Sequence, residues 1–114
     1  MTVNLEVETK TGRQIVAATV VRPGLAVSNE KIALPNAVLN YAVLHVGSGE
    51  FVATAPKKRQ AMRIVEALAP LADWTQPVDA LRAVPLLARR VRHAVWDALG
   101  LNPPADSRKD KDNG

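Results

Sequence analysis

A tight turn in the middle of the chain, Gly47-Ser48-Gly49, most constrains what this sequence can fold into. Two glycines within three residues supply the positive φ angles that a short hairpin turn needs. The runs on either side, Tyr41 to Val46 and Phe51 to Thr54, are rich in β-branched, aromatic and other apolar residues. Together they predict an antiparallel β-hairpin. A helix over Asn36 to Val46 is the competing interpretation, because that run is apolar on every side.

Beyond the hairpin, the spacing of apolar residues changes from that of a strand to that of a helix. Residues at intervals of three and four form one apolar stripe: Ala61, Ile64, Val65, Leu68, Leu71 and Ala72. Pro56 suits the first helical turn, with Thr54 or Ala55 as the N-cap. Pro70 must kink or end this helix. Trp74 lies among apolar residues and is predicted to cover the core, with surface stacking as the alternative.

The residues before the hairpin predict further antiparallel strands. Apolar and polar residues alternate in the first run, and β-branched residues dominate the others. The predicted strands are Val3–Val7, Gln14–Val21, Leu25–Val27 and Ile32–Leu34. Pro23-Gly24 suits the two central positions of a type II turn. With the hairpin, the chain is expected to form four or five strands in one meander.

The last third of the chain predicts more helix. Thr75 is a good N-cap for a helix that starts with proline and an acid in its first turn, and Pro85 interrupts the pattern. A second apolar stripe then follows, formed by Leu87, Val91, Val95 and Leu99. Gly100 before Leu101 is typical of a Schellman stop.

Strands first and helices last predict an α+β fold, with an antiparallel sheet of four to five strands and two to three helices packed on one face. A single domain is expected over residues 1–102. Residues 103–114 are polar and poor in apolar groups, which predicts a disordered tail. The expected core residues are Val7, Ile15, Val27, Val43, Phe51, Val65, Leu68, Trp74, Leu87, Val91 and Val95.

The composition argues against several classes of chemistry. With two histidines and no cysteine, one chain cannot build a disulfide or a zinc site with thiolate ligands. His45 and Ser48 could act as base and nucleophile, but no third group is visible to orient the histidine. We therefore expect a non-enzymatic protein with no catalytic residue, cofactor or metal site. The lack of a signal peptide and of a long apolar run predicts a cytoplasmic protein without membrane contact.

The net charge of +4 is unevenly distributed along the chain. Residues 1–54 carry four cations and four anions, whereas residues 55–104 carry eight cations and four anions. An excess of this kind points to phosphates or an acidic surface as a partner. Arginine stems that simply cover apolar surface are the alternative interpretation. The candidate nucleic-acid-binding residues are Lys57, Lys58, Arg59, Arg63, Arg89, Arg90 and Arg92.

A set of short motifs adds a resemblance to known proteins. The motifs are Tyr41-x-x-x-His45-Val46-x-Ser48-Gly49, Val52-Ala53, a basic helix start, Ala61, Leu68-Ala69 and Asp73-Trp74-Thr75. Over residues 25–76 this set resembles small uncharacterised proteins of high-GC actinobacteria and of their phages and mobile elements. The pattern departs from theirs at Tyr41, where tryptophan is commoner, and at Ala55, where a capping threonine is expected. The motifs are structural, so the resemblance implies no activity. The hairpin leading into a helix is also similar, in topology alone, to the DNA-binding domains of phage integrase arms and plant AP2 proteins.

Two functions are compatible with these observations. The first is a small binding protein that engages nucleic acid through its basic helical half. The second is a protein-interaction factor of phage or mobile-element origin that contacts a host protein through a sheet edge, Val3–Val7 or Leu25–Val27, or that forms a homodimer. The small charge excess, the neutral sheet half and the presence of only one Phe, one Tyr and two Trp motivate the second, but the first is the preferred function.

Overall fold

In the described part of the chain, six antiparallel strands and three helices follow one another in the order that the sequence predicts for an α+β fold. The computed structural model describes residues 1–34 and 39–100. The strands are β1 (Thr2–Thr9), β2 (Gly12–Arg22), β3 (Leu25–Ser28), β4 (Ile32–Ala33), β5 (Leu39–His45) and β6 (Phe51–Ala55). The helices are α1 (Lys58–Leu68), α2 (Val78–Arg82) and α3 (Leu87–Ala98), with a 3-10 turn at Ala69–Leu71. The predicted disordered tail, residues 103–114, lies outside the described residues.

The strand interpretation of the run before the glycine turn is confirmed over residues 39–45, which form β5. Positions 36–38 of the competing helix lie outside the described residues. The strand order is β1-β2-β3-β5, and both β4 and β6 also pair with β5. The two-residue strand β4 continues along the side of β5 that β3 occupies. Between the pairing of β5 with β3 and its pairing with β4, the Ala42 N–H donates to the Ser28 hydroxyl at 2.9 Å. This side-chain bond takes the place of a backbone bond there.

The β1–β2 hairpin curls over the sheet face that the helices leave free. The Lys10 N–H at the hairpin tip donates to the Ala33 carbonyl in β4 at 2.9 Å. Within β1, the backbone of Gly49 approaches so closely that a Cβ would lie 2.3 Å from the Glu6 carbonyl oxygen. Gly49 also has a φ of 74°, so both its conformation and its surroundings require glycine. The β1 strand therefore contacts both β4 and the β5–β6 turn.

This curl gives the protein two apolar clusters, one on each face of the sheet. The helical cluster contains Leu25, Val27, Val43, Ala55, Ala61, Ile64, Val65, Leu68, Trp74, Leu81 and Leu87. The cluster under the β1–β2 hairpin contains Leu5, Val7, Ala18, Ala26, Ile32, Ala42 and Leu44. Side chains alternate across a strand, so Val43 joins the first cluster and Leu44 the second. Apolar groups cover both faces of β3 and β5, which explains why those runs are apolar throughout.

Most of the predicted core is confirmed, with one clear error. Seven of the expected residues are buried: Val7, Val27, Val43, Val65, Leu68, Trp74 and Leu87. Phe51, Val91 and Val95 are half-buried and pack against these clusters. Ile15 was predicted to be buried but is 70% exposed. It lies on the outer face of the β1–β2 hairpin, whereas its neighbour Val16 faces the cluster beneath.

Two helix starts differ from the prediction. Thr54 and Ala55 belong to β6, so α1 begins at Lys58 with Lys57 as its N-cap, and no side chain caps it. Pairing of Thr54 with Ala42 in the ladder prevails over its capping preference. The α2 helix begins at Val78 with Pro77 as its N-cap, so Thr75 is not the cap.

The helix stops are closer to expectation. The α1 helix ends at Leu68, and Pro70 lies in the 3-10 turn, as its missing N–H predicts. After α3, Gly100 adopts a φ of 73°, which confirms glycine as the stop. Its predicted partner in the Schellman motif, Leu101, lies outside the described residues.

Replacing Leu68 with alanine is expected to lower the free energy of unfolding by about 2–5 kcal/mol, since the side chain is fully buried between α1 and the sheet. Met62, which is 38% exposed on the same helix, provides the control. We expect Met62→Ala to change stability by about 0.5 kcal/mol or less. Urea unfolding of both variants measures the difference, and equal losses would contradict the packing described above.

Replacing Gly24 with alanine is expected to destabilise the protein more than replacing Gly12. Both have positive φ, 84° and 106°, so alanine is strained at either position by about 1–3 kcal/mol. At Gly24 a Cβ would also lie 2.2 Å from the Trp74 carbonyl oxygen, whereas at Gly12 nothing lies within 4 Å. Thermal unfolding of the two variants measures this steric difference directly. A similar melting temperature for both would show that the Trp74 backbone can move away.

Candidate functional site

Helices α1 and α3 lie side by side and carry the candidate residues. The α1 helix packs across β2, β3, β5 and β6, and α3 packs against α1, α2 and the 3-10 turn. Val95 of α3 and its C-cap Leu99 line a groove with Val52 and Thr54, so the C-terminal part of α3 lies beside β6. Because α1 packs on the sheet and α3 packs against α1, the two helices form one layer whose outer side faces solvent.

The cations predicted from the sequence lie on the exposed sides of these helices. On α1, Arg59 and Arg63 lie opposite the buried stripe, and Lys58 flanks it. On α3, Arg89 points away from the core, while Arg90 and Arg92 occupy the two flanks. All of these side chains are exposed. We call the complete set the cationic helical surface: Lys57, Lys58, Arg59, Arg63, Arg89, Arg90 and Arg92.

The described arginines divide into two groups by their ion pairs. Three lie outside the cationic helical surface, and each binds glutamate: Arg13 binds Glu6 and Glu8 at 3.3 and 3.7 Å, Arg22 binds Glu66 at 2.7 Å, and Arg82 binds Glu50 at 2.8 Å. Within residues 1–34 and 39–100, no cation of the cationic helical surface forms a salt bridge. The cations of this surface therefore make no direct ion pair with a carboxylate in that part of the chain.

The pair between Arg22 and Glu66 has a particular effect on this surface. Glu66 is the only acidic residue of α1, and both of its carboxylate oxygens accept hydrogen bonds from the Arg22 guanidinium. These bonds, and then the charge of Glu66, raise the pKa of Arg22 above its usual value. Because both groups are exposed, the pair stabilises the fold little. Its main consequence is that the carboxylate is engaged by Arg22 of β2 and, in the described residues, forms no salt bridge with Arg59 or Arg63.

An aromatic pair lies beside the arginines of α3. The rings of His93 and Trp96 meet edge to face, with centroids 5.7 Å apart and an angle of 61° between their planes. Both side chains are half-buried, on the side of α3 that also carries Arg89 and Arg92, as the helical spacing predicts. One such pair provides a single stacking surface, and it does not form an extended platform for bases.

His45 and Ser48 are in contact, and the structure supplies the orienting group that the sequence does not reveal. The His45 Nδ1 lies 2.8 Å from the Ser48 hydroxyl, and its Nε2 lies 2.9 Å from the Gln76 carbonyl oxygen. A carbonyl only accepts, so Nε2 carries a proton and Nδ1 accepts from Ser48 in the neutral ring. The Ser48 oxygen also accepts from the Glu50 N–H.

The role of this contact follows from its burial. The His45 ring is only 2% exposed, and its two nitrogens join the β5–β6 turn to the segment before α2. We therefore interpret His45 as a structural clamp. Gln76 could not be identified from the sequence, because it lies 31 positions from His45 and contributes only a backbone atom.

The sheet edges differ from one expectation. Leu25–Val27 was predicted as an edge, but this is wrong, since β3 is paired with β2 on one side and β5 on the other. The predicted edge Val3–Val7 lies in β1, whose strand partner in the described part of the chain is β2 alone. A second strand with one partner is β6, which pairs with β5.

Two further features bear on the class of site. In the described ranges, no three His, Cys, Asp or Glu side chains come together in a way that could hold a metal ion. No helix there combines the length and the apolar character needed to cross a membrane.

No family model, curated protein or solved structure matches this chain. The resemblance to actinobacterial and phage proteins therefore stays a prediction.

Replacing Ser48 with alanine is expected to destabilise the protein by about 1–3 kcal/mol, because it leaves a buried ring nitrogen of His45 without a partner. Ser48→Thr keeps the hydroxyl and is the control. Urea unfolding of the two variants measures the effect. If alanine and threonine are equally well tolerated, the bond between Ser48 and His45 does not stabilise the turn.

Proposed function

We propose that this protein binds nucleic acid through the cationic helical surface. The observation that carries the proposal is the division of the arginines into paired and unpaired groups. Arg13, Arg22 and Arg82 each form a salt bridge with glutamate, whereas the cations of the cationic helical surface form none in the described residues. Exposed guanidinium groups on adjacent helices are suited to phosphate oxygens, which they contact in bidentate geometry.

The start of α1 also supports an anionic partner. Lys57, Lys58 and Arg59 follow one another there, no acid lies in the first turn, and no side chain caps the helix. The helix dipole disfavours positive charge at an N-terminus, so these cations raise the energy of the unbound protein. A phosphate near this turn would accept from the free backbone N–H groups and offset the repulsion.

The expected mode of binding is directed at the phosphate backbone. The cationic helical surface consists of long, exposed side chains, and it has one aromatic pair, His93 and Trp96, beside it. Phosphate contacts position a nucleic acid and carry no sequence information. We therefore expect weak dependence on base sequence and strong dependence on salt concentration.

Removing three arginines from α3 is expected to weaken binding and to reduce its salt dependence. The test variant carries Arg89→Gln, Arg90→Gln and Arg92→Gln. Each lost phosphate contact should lower the slope of log affinity against log salt by about 1. Fluorescence anisotropy with labelled single- and double-stranded DNA at several salt concentrations measures both quantities.

The matched control removes the same number of charges from the sheet half: Lys10→Gln, Arg13→Gln and Lys31→Gln. It changes the net charge equally but leaves the cationic helical surface intact, so its salt slope should resemble that of the wild type. Equal effects of the two triple variants would show attraction to net charge alone. Absence of binding by the wild type at low salt would refute the proposal.

A further inference from the structure

The β6 strand is a sheet edge that can accept another strand. It pairs with β5 on one side. In the part of the chain that the structure describes, residues 51–55 make no backbone hydrogen bond outside that ladder. The outward N–H and C=O groups of such an edge are a template for an added strand. The pairing of β5 with β6 is interrupted by a bulge, since Val43 pairs with Ala53 but Leu44 pairs with Phe51. The part of β6 with regular pairing is therefore Ala53 to Ala55.

An apolar groove runs along this edge, between β6 and α3. It consists of two adjoining cavities of about 530 and 300 Å³, which share Val52, Val91 and Arg92 in their linings. The larger cavity is completed by residues that include Trp74 and Leu87. The groove therefore offers apolar surface beside unpaired backbone groups, which is the combination that recognises extended peptides.

A residue with a strained backbone lies at the rim of the larger cavity and enlarges its apolar surface. Leu86 has a φ of 63° and a side chain that is 61% exposed. A bulky residue rarely adopts this left-handed conformation, because it is strained there. The segment between α2 and α3 thus holds a large apolar side chain at the edge of the groove despite the strain.

The charges of the groove define the chemistry of its occupant. Among the described residues, Arg82 and Arg92 are the only charged ones in the two linings, and no acid is among them. Arg82 is held by Glu50, whereas Arg92 has no acidic partner within the described ranges. The linings are mainly aliphatic and include the rings of Phe51, Trp74 and Trp96, so they suit apolar side chains such as valine or leucine.

We propose that the β6 edge and this groove bind an extended acidic peptide by strand addition. Alternate apolar side chains of the peptide enter the groove, its backbone pairs with β6, and its carboxylates lie beside Arg92. A second copy of this chain suits the edge less well, because antiparallel pairing of two β6 strands would bring together Arg92 and Lys57 from both copies. This site is separate from the outward side of the helices that carries Arg59, Arg63 and Arg89.

The first test uses a fluorescein-labelled peptide of alternating valine and aspartate with blocked termini, about eight residues long, the length of a strand. Anisotropy should show saturable binding, and a peptide with lysine in place of aspartate should bind at least about tenfold more weakly. Two further peptides carry N-methyl groups on all valine or on all aspartate amides. Alternate amides of a strand point to opposite edges, so strand addition requires that one of these peptides binds and the other does not.

The second test blocks the groove without disturbing the core. Ala88 is exposed and lines the larger cavity, so Ala88→Trp fills it. Ala80 is exposed on α2 outside both linings, and Ala80→Trp is the matched control. We expect Ala88→Trp to weaken binding of the peptide at least about tenfold and the control to leave it unchanged. Both variants should keep the DNA affinity of the wild type.

Several outcomes would overturn the inference. These are failure of the acidic peptide to bind at about 1 mM, equal binding of the two N-methylated peptides, or equal effects of the two tryptophan variants. Sedimentation would show a dimer at tens of micromolar if a second copy occupies the edge, and loss of that dimer in Ala88→Trp would also overturn it. If the wild-type protein binds the acidic peptide but not DNA, the function proposed for the helices is refuted and the peptide site is not.

Discussion

The complete burial of the central strand β5 is the constraint on which the rest of the structure depends. Ala42, Val43 and Leu44 have no exposed surface, and both edges of the strand are paired over part of its length. A strand that is apolar on both faces needs a cover on each. The α1 helix covers one face, and the curled β1–β2 hairpin covers the other. Gly49 permits this second cover, because only glycine allows the β5–β6 turn to approach the Glu6 backbone so closely.

The location of the positive charge follows from the way in which the helices and the hairpin cover opposite faces of the sheet. A helix that buries one stripe against a sheet must present its opposite side to solvent. In α1 and α3 that side is rich in lysine and arginine, whereas the outer face of the β1–β2 hairpin pairs Arg13 with Glu6 and Glu8. Solvation alone would be met equally well by a mixture of both signs, as on the hairpin. The contrast between two surfaces of one small fold is what makes the helical cations informative about a partner.

Local patterns allowed much of the fold to be predicted, and long-range contacts account for what was missed. The alternation in β1, the glycine turn and the period of α1 are properties of neighbouring residues, so the sequence shows them directly. Thr54 was predicted as a helix cap because the ladder partner Ala42, which holds it in β6, is not apparent locally. Ile15 was predicted as core because its exposure depends on which face of the hairpin is covered. For the site, the cations could be identified from the sequence, but their lack of acidic partners among the described residues could be seen only once the pairing of Arg22 with Glu66 was known.

The two proposed surfaces meet at one residue, and this has a consequence for how they work together. Arg92 belongs to the cationic helical surface and also lines both cavities along β6. A peptide carboxylate beside Arg92 would offset one of the positive charges that a phosphate backbone meets. The effect is limited, because two opposite charges in contact near a protein surface interact by a few kcal/mol at most. Coupling between binding sites is reciprocal, so a nucleic acid that uses Arg92 would weaken the peptide by the same factor. Because Arg59, Arg63 and Arg89 lie away from the groove, this competition affects one contact among several. If both proposed ligands bind, they would therefore modulate each other without excluding each other.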